Sequence, residues 1–157
     1  MAKSGRRVAR EYALQSLYAY ELTQGQLDGI IADILYSRAK DEKTRSFAET
    51  LIRRVVSHQK ELDRMIRKKA INWDFTRIAI IDKLILRMGI SEFLFFEDIP
   101  PKVTINEAIE IGKKFSTEKS GSFINGILDS ILNDLKKEGK LRKSGRGLLN
   151  VKLESQY

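Results

Sequence analysis

Apolar residues along this chain return at intervals of three and four, the spacing that lays one apolar stripe along an α-helix, and alternating strand patterns are short. Ala9, Ala13, Leu17 and Tyr20 share one side of a first helix, which Ser4 or Gly5 can open and Gly25 follows. Leu27, Ile30, Ile31, Ile34 and Leu35 mark a second; Phe47, Leu51 and Val55 mark a third; Leu62, Met65 and Ile66 mark a fourth. A strongly apolar segment carrying Ile78, Ile81, Ile85, Met88 and Leu94 begins at Asp74 or Thr76. Pro100 and Pro101 then force an extended link, because proline disfavours helical backbone in the residue before it. Thr104-Ile105-Asn106-Glu107 fits a capping box, predicting a helix with Ile105, Ala108, Ile109 and Phe115 behind it. A polar break from Ser116 to Ser122 leads to Phe123, Ile127, Ile131 and Leu135, with Gly139 as the stop. The fold expected is all-α, a single-domain bundle of about seven helices over residues 1–139 without internal repeat.

Composition narrows the class. A chain of 157 residues fits one compact domain, and a hydrophobic share of 42% is enough for a core. No cysteine is present, which excludes disulfides, thiolate metal sites and cysteine nucleophiles. No apolar run reaches the roughly 20 residues of a membrane span, and no secretory stretch opens the chain, so a cytoplasmic protein without membrane contact is expected.

The net charge of +8 is concentrated at the ends. Residues 1–10 carry +4 (Lys3, Arg6, Arg7, Arg10), residues 136–157 carry +5, and the body between carries −1. Clustered cations attract a polyanion and release its counterions. Residues 140–157, which include Lys140 to Gly147, are expected to form a flexible basic tail, serving either solubility or polyanion contact.

Enzymatic patterns are missing. His58 is the only histidine, which excludes a multi-histidine metal site, and its neighbour Ser57 points another way along a helix. There is no phosphate-cradling P-loop, and Gly145-Arg146-Gly147 lacks the strand-turn-helix setting of a dinucleotide site. Glu107 and Glu110 share a helix face, but the first has the capping role and the second can pair with Lys113 or Lys114. No catalytic residue, cofactor or metal ligand is expected.

Binding chemistry is present in two places. Arg6, Arg7 and Arg10, followed by Leu14, fall on one side of the first helix, with Ala9 and Ala13 on a neighbouring strip suited to close packing. Guanidinium forks match phosphates at two points and stack on bases. Lys113-Lys114-Phe115, Lys119 and Phe123-Ile124-Asn125 set two aromatics among lysines around a polar break. Cations joined to aromatic platforms hold single-stranded RNA, and Asn125 can hydrogen-bond a base edge. The alternatives for these residues are a solvated charged face, core phenylalanines, and close helix packing at Asn125-Gly126.

Ile81-Asp82-Lys83-Leu84-Ile85-Leu86-Arg87, then Glu92, Pro101, Val103 and Ile105-Asn106-Glu107-Ala108, resemble the NusB transcription antitermination family. Glu110, Lys114, Phe115, Ser120, Phe123, Asn125-Gly126 and Leu128-Asp129 continue the match, and Arg6-Arg7, Arg10-Glu11, Ala13, Gln15 and Leu17-Tyr18 resemble the family's opening. The resemblance spans about Arg6 to Leu135. It implies an all-helical, non-enzymatic factor that binds boxA RNA of ribosomal-RNA-type transcripts together with NusE, the small-subunit ribosomal protein. The pair joins an RNA polymerase complex that suppresses termination. The resemblance puts Arg6, Arg7, Arg10, Phe115, Phe123 and Asn125 on the RNA side, and makes Tyr18 and Asp82 candidates for supporting the RNA or NusE surface. Arg87 reaches RNA or forms a structural ion pair with a carboxylate. Lys119 departs from the pattern: a cation in this loop favours phosphate, so RNA affinity without NusE is expected.

Two other readings stand beside this one. NusB-like domains precede ribosomal-RNA methyltransferase domains, but only a short basic tail follows Leu135, leaving no space for a cofactor-binding α/β domain. A purely protein-binding module is the other. Exposed apolar residues on the second and third helices leave room for a homodimer that would cover the RNA surface.

Overall fold

Three- and four-residue spacing is realised as seven α-helices and no strand among the described residues of a computed structural model, which are 5–72 and 74–149. Lys3, Ser4 and residues 150–157 of the basic C-terminal stretch lie outside them. The chain divides into two compact units, Met1–Ser57 and His58–Tyr157.

In the first unit, α1 (Gly5–Thr23) packs on α3 (Glu42–Ser57). Ala9, Ala13, Leu14 and Leu17 of α1 and Ala48, Leu51, Ile52 and Val55 of α3 are all buried, and alanine lets the two backbones approach. Leu14 thus belongs to the core side of α1. The expected second helix is two turns of different width: α2 (Leu27–Ile30) runs into a π-helical segment, Ile31–Tyr36. Polar side chains pin this segment to α3. The Tyr36 hydroxyl donates to Glu49, Arg53 Nε donates to Glu49 at 2.9 Å, and Arg53 Nη2 donates to Asp28 at 2.7 Å. The Tyr36 and Arg53 hydrogen bonds hold the Glu49 carboxyl below its usual range. Asp41 starts α3, accepting from the Thr44 amide at 3.1 Å and the Thr44 hydroxyl at 2.9 Å.

The second unit holds α4 (Gln59–Lys69), α5 (Ile80–Phe95), α6 (Pro101–Phe115) and α7 (Glu118–Lys137). Helix α5 is its axis: eleven of its residues are buried, and α4, α6 and α7 all pack on it. Asp74 opens only a short 3-10 turn, Phe75–Arg77, through its bond from the Thr76 amide at 3.0 Å, and α5 begins at Ile80. His58 stacks on Phe95 with ring centroids 4.4 Å apart, a boundary residue.

The capping box expected at Thr104 is not formed. Pro101 occupies the first turn of α6 behind an extended Pro100 (φ −60, ψ 135), so the helix starts three residues earlier. Proline's fixed φ and missing amide suit that position. Thr104 therefore lies inside α6, where its hydroxyl donates to buried Glu92 Oε1 at 2.8 Å. A capping box does form at α7: the Thr117 hydroxyl accepts from the Ser120 amide, and Ser120 Oγ from the Thr117 amide.

Residues 140–149, read from composition as the start of a flexible tail, run against the corner after α5. Lys143 Nζ donates to the carbonyls of Phe96 at 2.7 Å and Glu92 at 3.0 Å, and the Ser144 amide donates to the Glu97 carbonyl at 3.0 Å. Gly147 is buried there.

Candidate nucleic-acid interface

On the first unit, the arginines of α1 converge on a ring that helical periodicity assigns to the core. The Arg6 guanidinium lies 4.9 Å and the Arg10 guanidinium 5.4 Å from the centroid of Phe47, which is half-buried on α3. Their four-residue spacing places both over one point of the neighbouring helix. Burial separates their roles. Arg6 is exposed, Arg7 is half-buried, and Arg10 is buried, at 3% exposure, so Arg10 meets the ring rather than open solvent. Sequence reasoning misses Phe47 because helical spacing alone does not distinguish a ring beneath guanidiniums from one in a core. Tyr18, one to two turns further along α1, is exposed, as are Leu22 on α1 and Tyr36.

On the second unit, the C-terminus of α6 and the N-terminus of α7 meet in a hydroxyl-rich junction. Ser120 Oγ donates to Asp82 Oδ2 at 3.0 Å and lies 2.9 Å from Ser116 Oγ. Asp82 is buried on the first turn of α5, so it supports the junction from beneath; its Oδ1 has no hydrogen-bond partner among the described residues. Gly121 lets α7 approach α6: a Cβ there would stand 3.3 Å from Lys113 Cε.

Around this junction stand the expected residues. Lys114 Nζ lies 5.1 Å from the Phe115 ring centroid, and Lys113 Nζ is 3.9 Å from Glu110. Phe115 and Phe123 are half-buried, whereas Lys113, Lys114, Lys119 and Asn125 are exposed. Gly126 is also exposed, and a Cβ added to it would meet nothing within 4 Å, which removes close helix packing as its explanation.

Arg87 stands apart from this set. It is buried at 3% exposure and forks onto Asp63, with Nε–Oδ1 at 2.7 Å and Nη2–Oδ2 at 3.1 Å. The expectation that Arg87 reaches RNA is corrected to the ion-pair alternative, because the guanidinium points inward. A second cation–aromatic group also escaped the sequence: Phe75 lies 4.2 Å from the Arg67 guanidinium and 4.6 Å from Lys83 Nζ. Its members sit on three elements, and no periodic pattern joins them.

Among the described residues, no helix is long and apolar enough to cross a membrane. The NusB family profile matches residues 7–133. The transcription antitermination protein NusB of Salinibacter ruber is 46% identical over 149 residues, covering 94% of this chain and 93% of that protein. The crystal form of T. maritima NusB superposes with a TM-score of 0.78 at 36% identity, over 85% of this chain and 94% of the other. A complex of the antitermination factors NusB and NusE with double-stranded RNA contains a chain with a TM-score of 0.76 at 25% identity, over 83% of this chain and 97% of that one. On these matches, with the cation–aromatic surfaces in both units, the chain belongs to the NusB family.

Proposed function

We propose that this protein is a non-enzymatic, cytoplasmic transcription antitermination factor that takes up boxA-type RNA together with NusE and delivers it to the RNA polymerase complex. The observation that carries the RNA reading is the α6–α7 junction, where half-buried Phe115 and Phe123 stand among exposed Lys113, Lys114, Lys119 and Asn125. Rings that are half exposed can stack bases, and the ammonium groups beside them neutralise phosphates. On the first unit Arg6 and Arg7 are the phosphate contacts, and Arg10 holds Phe47 and the helix face in place. Asp82 and Tyr18 act as supports for the RNA or NusE surface. The related NusB–NusE complex with RNA supports both partners.

The test is binding of a boxA strand, a scrambled strand and an RNA duplex, with and without NusE, at two salt concentrations. Tighter binding of boxA than of either competitor, strengthened by NusE, is expected. Equal binding of all three RNAs would leave a protein-binding module as the better reading. Neutralising Arg6, Arg7 and Lys119 should flatten the salt dependence by about 0.7 log units per lost contact on a single strand. Sedimentation of the free protein, and its displacement by RNA, tests a homodimer that covers the RNA surface.

A further inference from the structure

The C-terminal basic stretch has a built seat on the second unit. Gly139, at φ 65°, closes α7 with paired bonds, Lys140 amide to Leu135 carbonyl at 2.9 Å and Gly139 amide to Lys136 carbonyl at 3.2 Å. Gly145 turns the chain again at φ 55°. At Gly147 a Cβ would fall 1.8 Å from the Glu97 carbonyl oxygen, so only glycine lies flat on that backbone. Lys143 latches the segment onto the last carbonyls of α5. Three glycines demanded by geometry and a two-point ammonium latch specify one conformation, which a solvated tail has no need of.

The seat uses Lys143 and leaves Arg142 and Arg146 exposed, with no ion pair to either among the described residues. We propose that this strap is a second RNA-backbone contact, in which Arg142 and Arg146 bind phosphates of a strand running beyond the boxA-type segment. Cations held in place lose less freedom on binding than cations on a loose tail. Guanidinium forks match phosphate oxygens at two points. The strap sits on Glu97, four residues before α6 begins, while Phe115 ends that helix about 21 Å away. Between them the exposed residues Lys102, Asn106, Glu110 and Lys113 follow one face of α6, and Glu110, the single acid there, has Lys113 beside it. The proposal rests on the RNA reading above and assigns it a further length of strand.

The experiment uses the whole protein and three RNAs: the boxA segment alone, and the same segment extended by about ten unpaired nucleotides on either its 5′ or its 3′ side. One extended strand should show a salt slope steeper than the short strand by about 1.4, two contacts at about 0.7 each. Arg142→Gln with Arg146→Gln should remove that increment and leave short-strand binding unchanged. Gly147→Val, whose unseating is read by faster tryptic cleavage after Arg146, should remove it as well. The proposal is overturned if neither extension steepens the slope, if the double variant retains the increment, or if it weakens the short strand equally. The same increment is measured on scrambled strands of matched lengths, so it stands or fails whether or not boxA is preferred.

Discussion

Arg87 and Asp63 meet as a two-point ion pair away from water, α5 reaching α4 through bonds of 2.7 and 3.1 Å. Removing one partner leaves the other charge buried and unmatched. Arg87→Met should therefore cost about 3–5 kcal/mol, and Arg87→Met with Asp63→Leu should recover most of that loss. Urea unfolding of the three proteins measures both. Because the guanidinium faces inward, Arg87→Lys should lower stability while leaving the salt dependence of RNA binding unchanged.

Thr104 serves Glu92 instead of a helix end, across 2.8 Å. Replacing it with valine keeps the shape and deletes the donor to a buried carboxylate. The expected loss is about 1–3 kcal/mol by denaturant unfolding. Thr117→Ala, which deletes the cap of α7, should cost about 1 kcal/mol. A Thr104→Val loss below the Thr117→Ala loss would contradict the burial argument.

These two threonines show what the chain's pattern could and could not convey. Threonine three residues before glutamate marks a cap only when no stronger start signal lies upstream, and Pro101 is that signal. Apolar spacing located every long helix, because burial of one stripe is what makes those helices form. It was silent on Phe47 and Phe75, whose neighbours come from other elements. It was equally silent on the strap, whose seat is made of the carbonyls of Glu92, Phe96 and Glu97, and carbonyls carry no residue identity. Gly139, Gly145 and Gly147 were the legible trace of that seat.

Gly126 lies mid-helix in α7 with open space around it. Glycine there adds backbone freedom to the unfolded chain and packs against nothing. Gly126→Ala should raise stability by about 0.5–1 kcal/mol. A shift of the urea midpoint to higher concentration at constant slope is the expected signature. Loss of stability would mean that the position is more crowded than its surroundings indicate.

Lys119 is exposed on the first turn of α7, beside the Phe115–Phe123 junction. Lys119→Asp reverses a charge where phosphate is expected, at a site whose fold depends on Thr117 and Ser120 instead. Binding of boxA RNA without NusE should weaken at low salt, and the two proteins should converge as salt rises and screens the charge. Equal affinity across the titration would remove Lys119 from the site.

Lys143 makes the strap sensitive to alkaline pH. Burial pushes its ammonium down to about 8, against the opposing pull of Glu92, Asp98 and Glu97. A lysine in the unfolded chain titrates near 10.4, so between these values the unfolded chain binds a proton that the seated strap does not. Stability linked to the strap therefore rises with pH from about 8 to about 10.4 and is flat on either side. The neutral amine still has two N–H groups for the carbonyls of Phe96 and Glu92, so the seat survives deprotonation. Hydrogen exchange at the Ser144 amide, corrected for its intrinsic pH dependence, should show more protection at pH 9.5 than at pH 7.5, and Lys143→Met should lose that difference. An unchanged difference in the variant would place the pH dependence on another group.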